Sequence, residues 1–287
     1  MRKKLRKKLA TFSPEELNLI SSSFDIIGDI AIVKLPNGST QNAEKVANQI
    51  MMLHRNVKSV FAQTSPFLGD FRVRELRFLA GEEKTSTKCR ESNCVFAVDV
   101  AKCYFSPRLL YERLRIARLV KGGETVVNMF SGVGCFSIII AKKVSQTKVF
   151  SIDVNPIAVQ YMEENVNLNR VYNKVIPLLG DSKDIIKAQL QGQVDRVLMP
   201  LPEKALEYLP YAVSALKKHG GWIHYYDFQH AAGSEKPVEK TKLKVAQKLD
   251  NIGVGYIFTF SRVVRSTGPN WFQTVLDIQI TSLPSKF

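Results

Sequence analysis

The segment VVNMFSGVGCFSI, residues 126–138, runs a hydrophobic strand straight into Gly132 and Gly134 and then opens a helix. Glycines at such a junction permit positive φ and close backbone approach to a ligand, and the helix N-terminus offers N–H groups with no intrahelical partner. The pair also suits a plain strand-to-helix turn. The third glycine of the dinucleotide fingerprint is missing, which disfavours a nicotinamide dinucleotide. A second junction, FSIDVNP, sets Asp153 and Val154 at the carboxyl end of the next strand, with Asp153 19 residues beyond Gly134. An acid there can accept both ribose hydroxyls of an adenosine ligand. The third junction, LLGDS, brings Asp181 and Ser182 to the same rim, where an acid commonly meets the adenine amino group. Each acid taken singly is also a good helix cap or loop carboxylate. Three consecutive junctions of this kind point together to S-adenosylmethionine, with Phe130, Gly132, Gly134, Asp153, Val154, Asp181 and Ser182 as its expected contacts.

A fourth junction, DRVLMPLPEKA at residues 195–205, stands where amino-methylating enzymes often carry Asn-Pro-Pro-Tyr, so its loop is expected to face the transferred methyl. Pro200 and Pro202 fix the backbone there without supplying a side-chain amide. Pro202 equally suits the first turn of a helix, a reading that fits Pro200 less well.

The elements that must position these junctions follow from periodicity. FDIIGDIAIVKL, from Phe24, reads as a strand, a Gly-Asp turn and a strand. An amphipathic helix is expected over Asn42 to Leu53, with strands at Val57 to Phe61, Phe71 to Leu79 and Cys94 to Tyr104. From Pro107 onward helices and strands alternate, which predicts a parallel sheet with crossover helices. The strands are Thr125 to Phe130, Lys148 to Ile152, Lys174 to Leu179, Arg196 to Met199 and Trp222 to Tyr226. The helices are Pro107 to Leu119, Val133 to Lys143, Ile157 to Asn169, Lys204 to Lys217 and Val238 to Leu249. Two final β-rich runs, Gly255 to Val264 and Trp271 to Ile280, close the edge as a hairpin. The expected fold class is α/β: a Rossmann-like class I methyltransferase sheet with a terminal antiparallel hairpin, preceded by a small α+β domain. The expected division is a basic tail over residues 1–23, the small domain over 24–104 and the methyltransferase domain over 105–287.

Charge narrows the partner. Lys and Arg number 41 against 26 Asp and Glu, a formal charge of +15, which points toward a polyanion. MRKKLRKKL at the N-terminus holds six of those cations, and without them the chain still carries about +9. No apolar run approaches the roughly 20 residues that span a bilayer. Four cysteines (Cys89, Cys94, Cys103, Cys135) are too few for a disulfide framework at this length. Cys89 and Cys94 lack the second close pair of a zinc site, and His54, His219, His224 and His230 have no metal-ligand spacing. His224, in IHYY, is expected to pack or hydrogen-bond near the sheet edge.

GDFRVRELRFLAGE, VDVAKCYFSPRLLYERLRI, NMFSGVGCFSIIIAKK, SIDVNPIAVQYMEENVNLNRV, DRVLMPLP and GGWIHYYDF occur here in a recognisable order. With these motifs, roughly residues 24 to 280 resemble the archaeal and eukaryal tRNA (guanine-N1) methyltransferases acting at position 37, a family that includes the wyosine-pathway transferases. The resemblance implies Glu112 as general base, Arg72 as the contact to O6 with Arg74 beside it, and Arg113 against the cofactor. It leaves Arg108 to position either the cofactor or a phosphate. Read without it, Glu112 is a helix salt-bridge partner of Arg115 or of the charges on the Lys121 side, and Arg72 a surface charge on a β-ribbon. The partner it implies is the anticodon stem-loop of tRNA, for a cytoplasmic monomer with no metal and no membrane attachment.

Two departures from the family pattern matter. Pro200 replaces the usual Asn before Leu-Pro, which looks like a subgroup that also methylates carbon 7 of the tricyclic wyosine precursor. About 23 residues precede the FDIIGDIAIV segment, so the small domain that grips the outer corner of tRNA in many members is expected to be missing. The basic tail is its expected substitute. Deleting residues 1–9 should then weaken tRNA binding and flatten its salt dependence, measured by titration at several salt concentrations, with cofactor affinity unchanged. Aminocarboxypropyl transfer from the same cofactor, and a non-catalytic RNA-binding role, are the competing functions. The intact Asp153, Asp181 and Glu112 weigh against the second.

Overall fold

The computed structural model describes residues 24–34, 43–67, 69 and 71–284, so the basic tail lies outside the described residues. The chain divides into two compact units, residues 1–109 and 110–287.

In the first unit, β1 (Asp25–Ile27), β2 (Ile30–Lys34), β3 (Ser59–Gln63) and β4 (Leu76–Gly81) form a four-stranded sheet in that order. The β1–β2 and β3–β4 pairs are antiparallel and β2–β3 is parallel. The parallel pair requires a crossover, supplied by α1 (Ala43–Leu53), whose apolar stripe Val46, Ala47 and Ile50 packs on Ala31, Val33, Val60 and Ala62. The Gly-Asp turn carries a specific load. Gly28 sits at φ 58°, and a Cβ on it would lie 2.2 Å from the Thr87 hydroxyl. Asp29 accepts from that hydroxyl (2.6 Å) and from Lys84 Nζ (2.8 Å), which pins the hairpin of β5 (Ser86–Glu91) and β6 (Cys94–Asp99) to the turn.

One strand in this unit is unexpected, and two expected strands need correction. Strand β5, STKCRE, goes unannounced in the sequence because it is polar, burying only Cys89 and Glu91. The strand expected from Phe71 begins at Leu76, because Arg72 takes φ 49°, in the left-handed region, and holds the chain in a turn. The strand expected to reach Tyr104 ends at Asp99, whose carboxylate accepts the Ala101 N–H and whose carbonyl accepts the Cys103 N–H, closing a turn.

The second unit starts with α2 (Leu110–Leu119), entered through a 3₁₀ turn at Pro107–Leu109. Its strands are β7 (Thr125–Asn128), β8 (Lys148–Asp153), β9 (Val175–Leu179), β10 (Arg196–Met199), β11 (Gly221–His230), β12 (Gly255–Gly268) and β13 (Trp271–Ser282). They form one sheet in the order β12-β13-β11-β10-β7-β8-β9. The first five are mutually parallel, and β13 and β12 join antiparallel at the β11 edge, as the alternation and the terminal hairpin predict. The intervening helices are α3 (Cys135–Lys143), α4 (Pro156–Leu168), the short α5 (Ser182–Ile185) with a π-helical turn to Leu190, α6 (Ala205–Ala215) and α7 (Pro237–Ile252). The α5 turn lies where no helix is expected. Asp181 caps it, accepting the Lys183 N–H at 3.0 Å, and Ile186 and Leu190 anchor it in the core.

One face of the sheet presents Val127, Met199, Ile223, Tyr225 and Leu276 to α6 and α7, in a core that includes Leu209, Val213, Val245 and Leu249. On the other face Asn128 donates to Ser137 Oγ of α3 at 3.2 Å. Chain order reverses between β7 and β10, and the crevice at such a reversal, beyond the carboxyl ends of the strands, is where open α/β sheets bind ligands.

Candidate active site

The first three junctions follow β7, β8 and β9, neighbours in the sheet, and the loop after β7 stands at that reversal. Gly132 (φ 54°) and Gly134 (φ 89°) both occupy the left-handed region, and Gly134 is the N-cap of α3. A Cβ at Gly134 would lie 2.9 Å from Met162 Cγ and 3.1 Å from Ile138 Cδ1, so α3 can start this close to α4 only with glycine. Gly134→Ala is expected to cost about 1–3 kcal/mol through strain and overpacking, read from urea unfolding. A cost below a few tenths would mean that the loop has room to spare.

Asp153 ties the glycine loop to the second junction. Its Oδ2 accepts the Gly132 N–H (2.6 Å) and its Oδ1 the Asn155 N–H (3.0 Å). Burial pushes its carboxyl above the ordinary range, against those backbone N–H groups, which favour the charged form. With the Val154 N–H also turned to it, the carboxylate keeps about one acceptor direction for a hydroxyl of a ligand. Val154 beside it is exposed, so the rim is open there. At the third junction Asp181 takes the Tyr208 hydroxyl (2.8 Å) and Lys183 Nζ (3.2 Å) in addition to its cap bond. Burial pushes its carboxyl up, but the Lys183 N–H, the Tyr208 hydroxyl and the Lys183 ammonium outweigh that and hold it below the ordinary range. Phe130 packs edge-on against Tyr208 at 5.2 Å, joining the first junction to α6. The Ser182 hydroxyl is buried with no hydrogen-bond partner among the described residues. Glycines without a Cβ, an acid with acceptor capacity in reserve and an unspent buried hydroxyl fit an adenosine-bearing cofactor. Pro200 follows β10 on the same edge, half-buried, and Pro202 is buried behind it.

Glu112 stands in the first turn of α2 and is 1% exposed. Its Oε2 accepts from Arg115 Nε (3.0 Å) and the Tyr226 hydroxyl (2.9 Å), and its Oε1 from Arg262 Nε (3.0 Å) and Nη2. The salt bridge to Arg115 is thus present, but it is one bond among several and part of a longer chain. Arg115 donates to both oxygens of Asp277; Asp277 pairs with His224 Nδ1 (2.6 Å); His224 Nε2 meets Arg196 Nη1 (2.7 Å); and Arg196 holds Glu124 through two nitrogens. Three cations and three carboxylates alternate around one histidine. Burial holds His224 below the usual imidazole range, against the pull of Asp277, so it stays neutral, with Nδ1–H donating to Asp277 and Nε2 accepting from Arg196. For Asp277, burial is outweighed by His224 and Arg115, and its carboxyl is held down to about 2. Burial and the Glu112 carboxylate push the Tyr226 hydroxyl well above the usual phenol range, so it remains a donor. Arg113, next to Glu112, is buried.

The remaining expected residues belong to the first unit. Arg72 places its guanidinium 4.4 Å from the centroid of the Tyr104 ring, and Arg74 places its own 4.9 Å from that of Phe67. Arg74 also donates to Gln63 Oε1 at 3.1 Å. The left-handed backbone at Arg72 is uncommon for a residue with a side chain, and such outliers gather at functional sites. Arg108 donates to Asp25 at 2.8 Å. All four cysteines are buried, and among the described residues no cluster of His, Cys, Asp and Glu could hold a metal ion. No described helix is long and apolar enough to cross a membrane.

Residues 87–253 match the family model of the TRM5/TYW2 methyltransferase domain, and residues 1–85 that of the TYW2 N-terminal domain. The second match takes the basic tail and most of the small domain as one stretch. The chain is 41% identical over 270 residues to a tRNA (guanine(37)-N(1))-methyltransferase Trm5b of Pyrococcus abyssi, covering 93% of this chain and 78% of that protein. It is 37% identical over 257 residues to a tRNA 4-demethylwyosine(37)-methyltransferase Taw21 of Saccharolobus solfataricus, covering 89% and 92%. A solved complex of aTrm5 and tRNALeu aligns with TM-score 0.80 at 34% identity, over 97% of this chain and 78% of that one.

Proposed function

The chain belongs to the TRM5/TYW2 methyltransferase family, and on that premise we propose that it transfers the methyl group of S-adenosylmethionine to N1 of guanosine 37 in tRNA. The observation that carries the reading is the glycine loop after β7, at the point of strand-order reversal, with Gly132 tied to Asp153 at the carboxyl end of the neighbouring β8. S-adenosylmethionine supplies an electrophilic methyl on a sulfonium, and Gly132, Gly134, Asp153, Val154, Asp181 and Ser182 would hold it. Phe130 and Arg113 complete that contact set.

Neutral guanine keeps a proton on N1, so the nitrogen lacks a free electron pair until that proton leaves. Glu112 receives the proton, and the negative charge that develops on O6 is met by the guanidinium of Arg72. Arg74 and Arg108 act on the RNA side, and Pro200 shapes the loop facing the transferred methyl. The target base leaves its stack in the anticodon loop to reach Glu112, at a cost of about a few kcal/mol. The chain works as a monomer in the cytoplasm, with the anticodon stem-loop as its partner.

A second substrate, carbon 7 of the tricyclic wyosine precursor, is favoured by Pro200 and by the likeness to the Saccharolobus relative. Mass spectrometry of position-37 nucleosides, after incubation with labelled donor, tests both readings when unmodified tRNA and precursor-bearing tRNA are offered side by side. N1-methylguanosine from the first and a methylated precursor from the second are expected. An aminocarboxypropyl mass increment on either would overturn methyl transfer.

A further inference from the structure

An ionised carboxylate offers about four acceptor directions, two on each oxygen. In Glu112 all of them are taken: Arg115 and Tyr226 occupy Oε2, and two nitrogens of Arg262 occupy Oε1. A group that removes a proton from a substrate nitrogen must present a lone pair to it at hydrogen-bond distance. One donor therefore has to leave before Glu112 can act.

Two of the three donor residues are held. Tyr226 lies within β11, fully buried. Arg115 is fixed from its far side by both oxygens of Asp277. Arg262 differs in every respect. It stands on β12, the outermost strand, with its side chain 32% exposed, and its guanidinium rests 4.4 Å from the centroid of the exposed Tyr111 ring. Among the described residues its only carboxylate partner is Glu112. Arg262 covers the solvent side of Oε1, and it can move away.

We propose that Arg262 is a lock on Glu112 that the RNA substrate opens. A backbone phosphate takes the guanidinium fork, and Oε1 is left free to receive the N1 proton. Phosphate matches the bidentate geometry of arginine as well as a carboxylate does, so the guanidinium exchanges one anion for another and is never left uncompensated. The base becomes available only when RNA is in place. Arg262 is thus a positioning residue acting through Glu112. The inference rests on the reading of Glu112 as the base, and its test is separable from that reading.

The test is a binding cycle with full-length protein and tRNA, by fluorescence anisotropy across a salt series, joined to single-turnover rates at saturating tRNA. Arg262→Gln should weaken tRNA binding several-fold and reduce the salt slope by about one, with donor affinity and saturating rate no lower than in the parent. Glu112→Gln should bind tRNA several-fold more tightly, because the guanidinium no longer leaves a charged partner. The double variant should bind like Arg262→Gln alone. Unchanged affinity and slope in Arg262→Gln overturn the proposal. So does a gain from Glu112→Gln that survives in the double variant, or a loss of donor affinity with tRNA binding intact. A saturating rate at least tenfold lower at unchanged affinity also overturns it, since Arg262 would then hold the base through the reaction. If Glu112→Gln does not fold, the Arg262→Gln measurements decide alone. If it folds and keeps the parental rate, the base assignment fails while the binding cycle still reads the lock.

Discussion

Glu112→Gln is expected to lower the single-turnover rate of methyl transfer by about 10²–10⁴-fold, the range general-base removal commonly costs, while S-adenosylmethionine affinity stays within about twofold. The substitution keeps the length and most of the volume of the side chain, and its amide oxygen can still accept from Arg262 or Arg115. What it removes is the capacity to take a proton. Apart from Arg113, the expected cofactor contacts stand on the β7, β8 and β9 junctions, and among the described residues none of these shares a hydrogen bond with Glu112. Calorimetric titration with the donor and rapid-quench single turnover separate the two effects. An unchanged rate would remove Glu112 from the chemistry and leave it as a structural ion-pair partner. A donor affinity reduced as much as the rate would mean that the variant had disturbed the crevice.

The two halves of the site differ in how far the sequence discloses them. The cofactor crevice is legible because its parts are local: each junction is a strand of period two, a turn residue and a helix start, contiguous in the chain. Even the Gly132–Asp153 bond, which spans 21 residues, links two neighbouring junctions whose positions follow from the alternation. The surroundings of Glu112 are different. Arg115 lies one helical turn away and is visible, but Tyr226, Arg262 and Asp277 are brought in by β11, β12 and β13 from more than a hundred residues downstream. Strand order and register decide those meetings, and neither is encoded in local periodicity. One signal was available. His224 and Asp277 each stand between two apolar neighbours in their strands and Arg196 opens an apolar one, and polar groups buried in such company must find partners. The signal says that partners exist without saying which. Strand β5 escaped for the opposite reason, since a mostly exposed hairpin strand has no apolar alternation to show.

That same long-range pairing makes Asp277 the residue whose loss should cost the second unit most. His224 and Asp277 face each other across the β11–β13 ladder, and Asp277 also holds Arg115, which in turn holds Glu112. Asp277→Ala would leave a largely buried guanidinium with one carboxylate in place of two and a buried imidazole N–H with no acceptor. Removing one partner of a buried pair costs about 3–5 kcal/mol, and urea unfolding should show a loss of that size. A loss below about 1 kcal/mol would mean that water enters to replace the carboxylate. The pH dependence checks the same network independently. His224 is held neutral below the usual 6.5, so its contribution to stability is complete above that pH and declines as the pH falls through it and the unfolded chain takes up the proton first. Asp277 is held down from 3.8 to about 2, so its contribution is complete above 3.8 and is lost as the pH falls toward 2. The parent protein should therefore lose stability in two stages on acidification. In Asp277→Ala the lower stage should shrink. The upper stage should deepen, because His224 loses the one neighbour that favours its charged form and resists protonation to a still lower pH. An acid limb identical in parent and variant would show that Asp277 carries no such linkage, and that Arg115 is held by Glu112 alone.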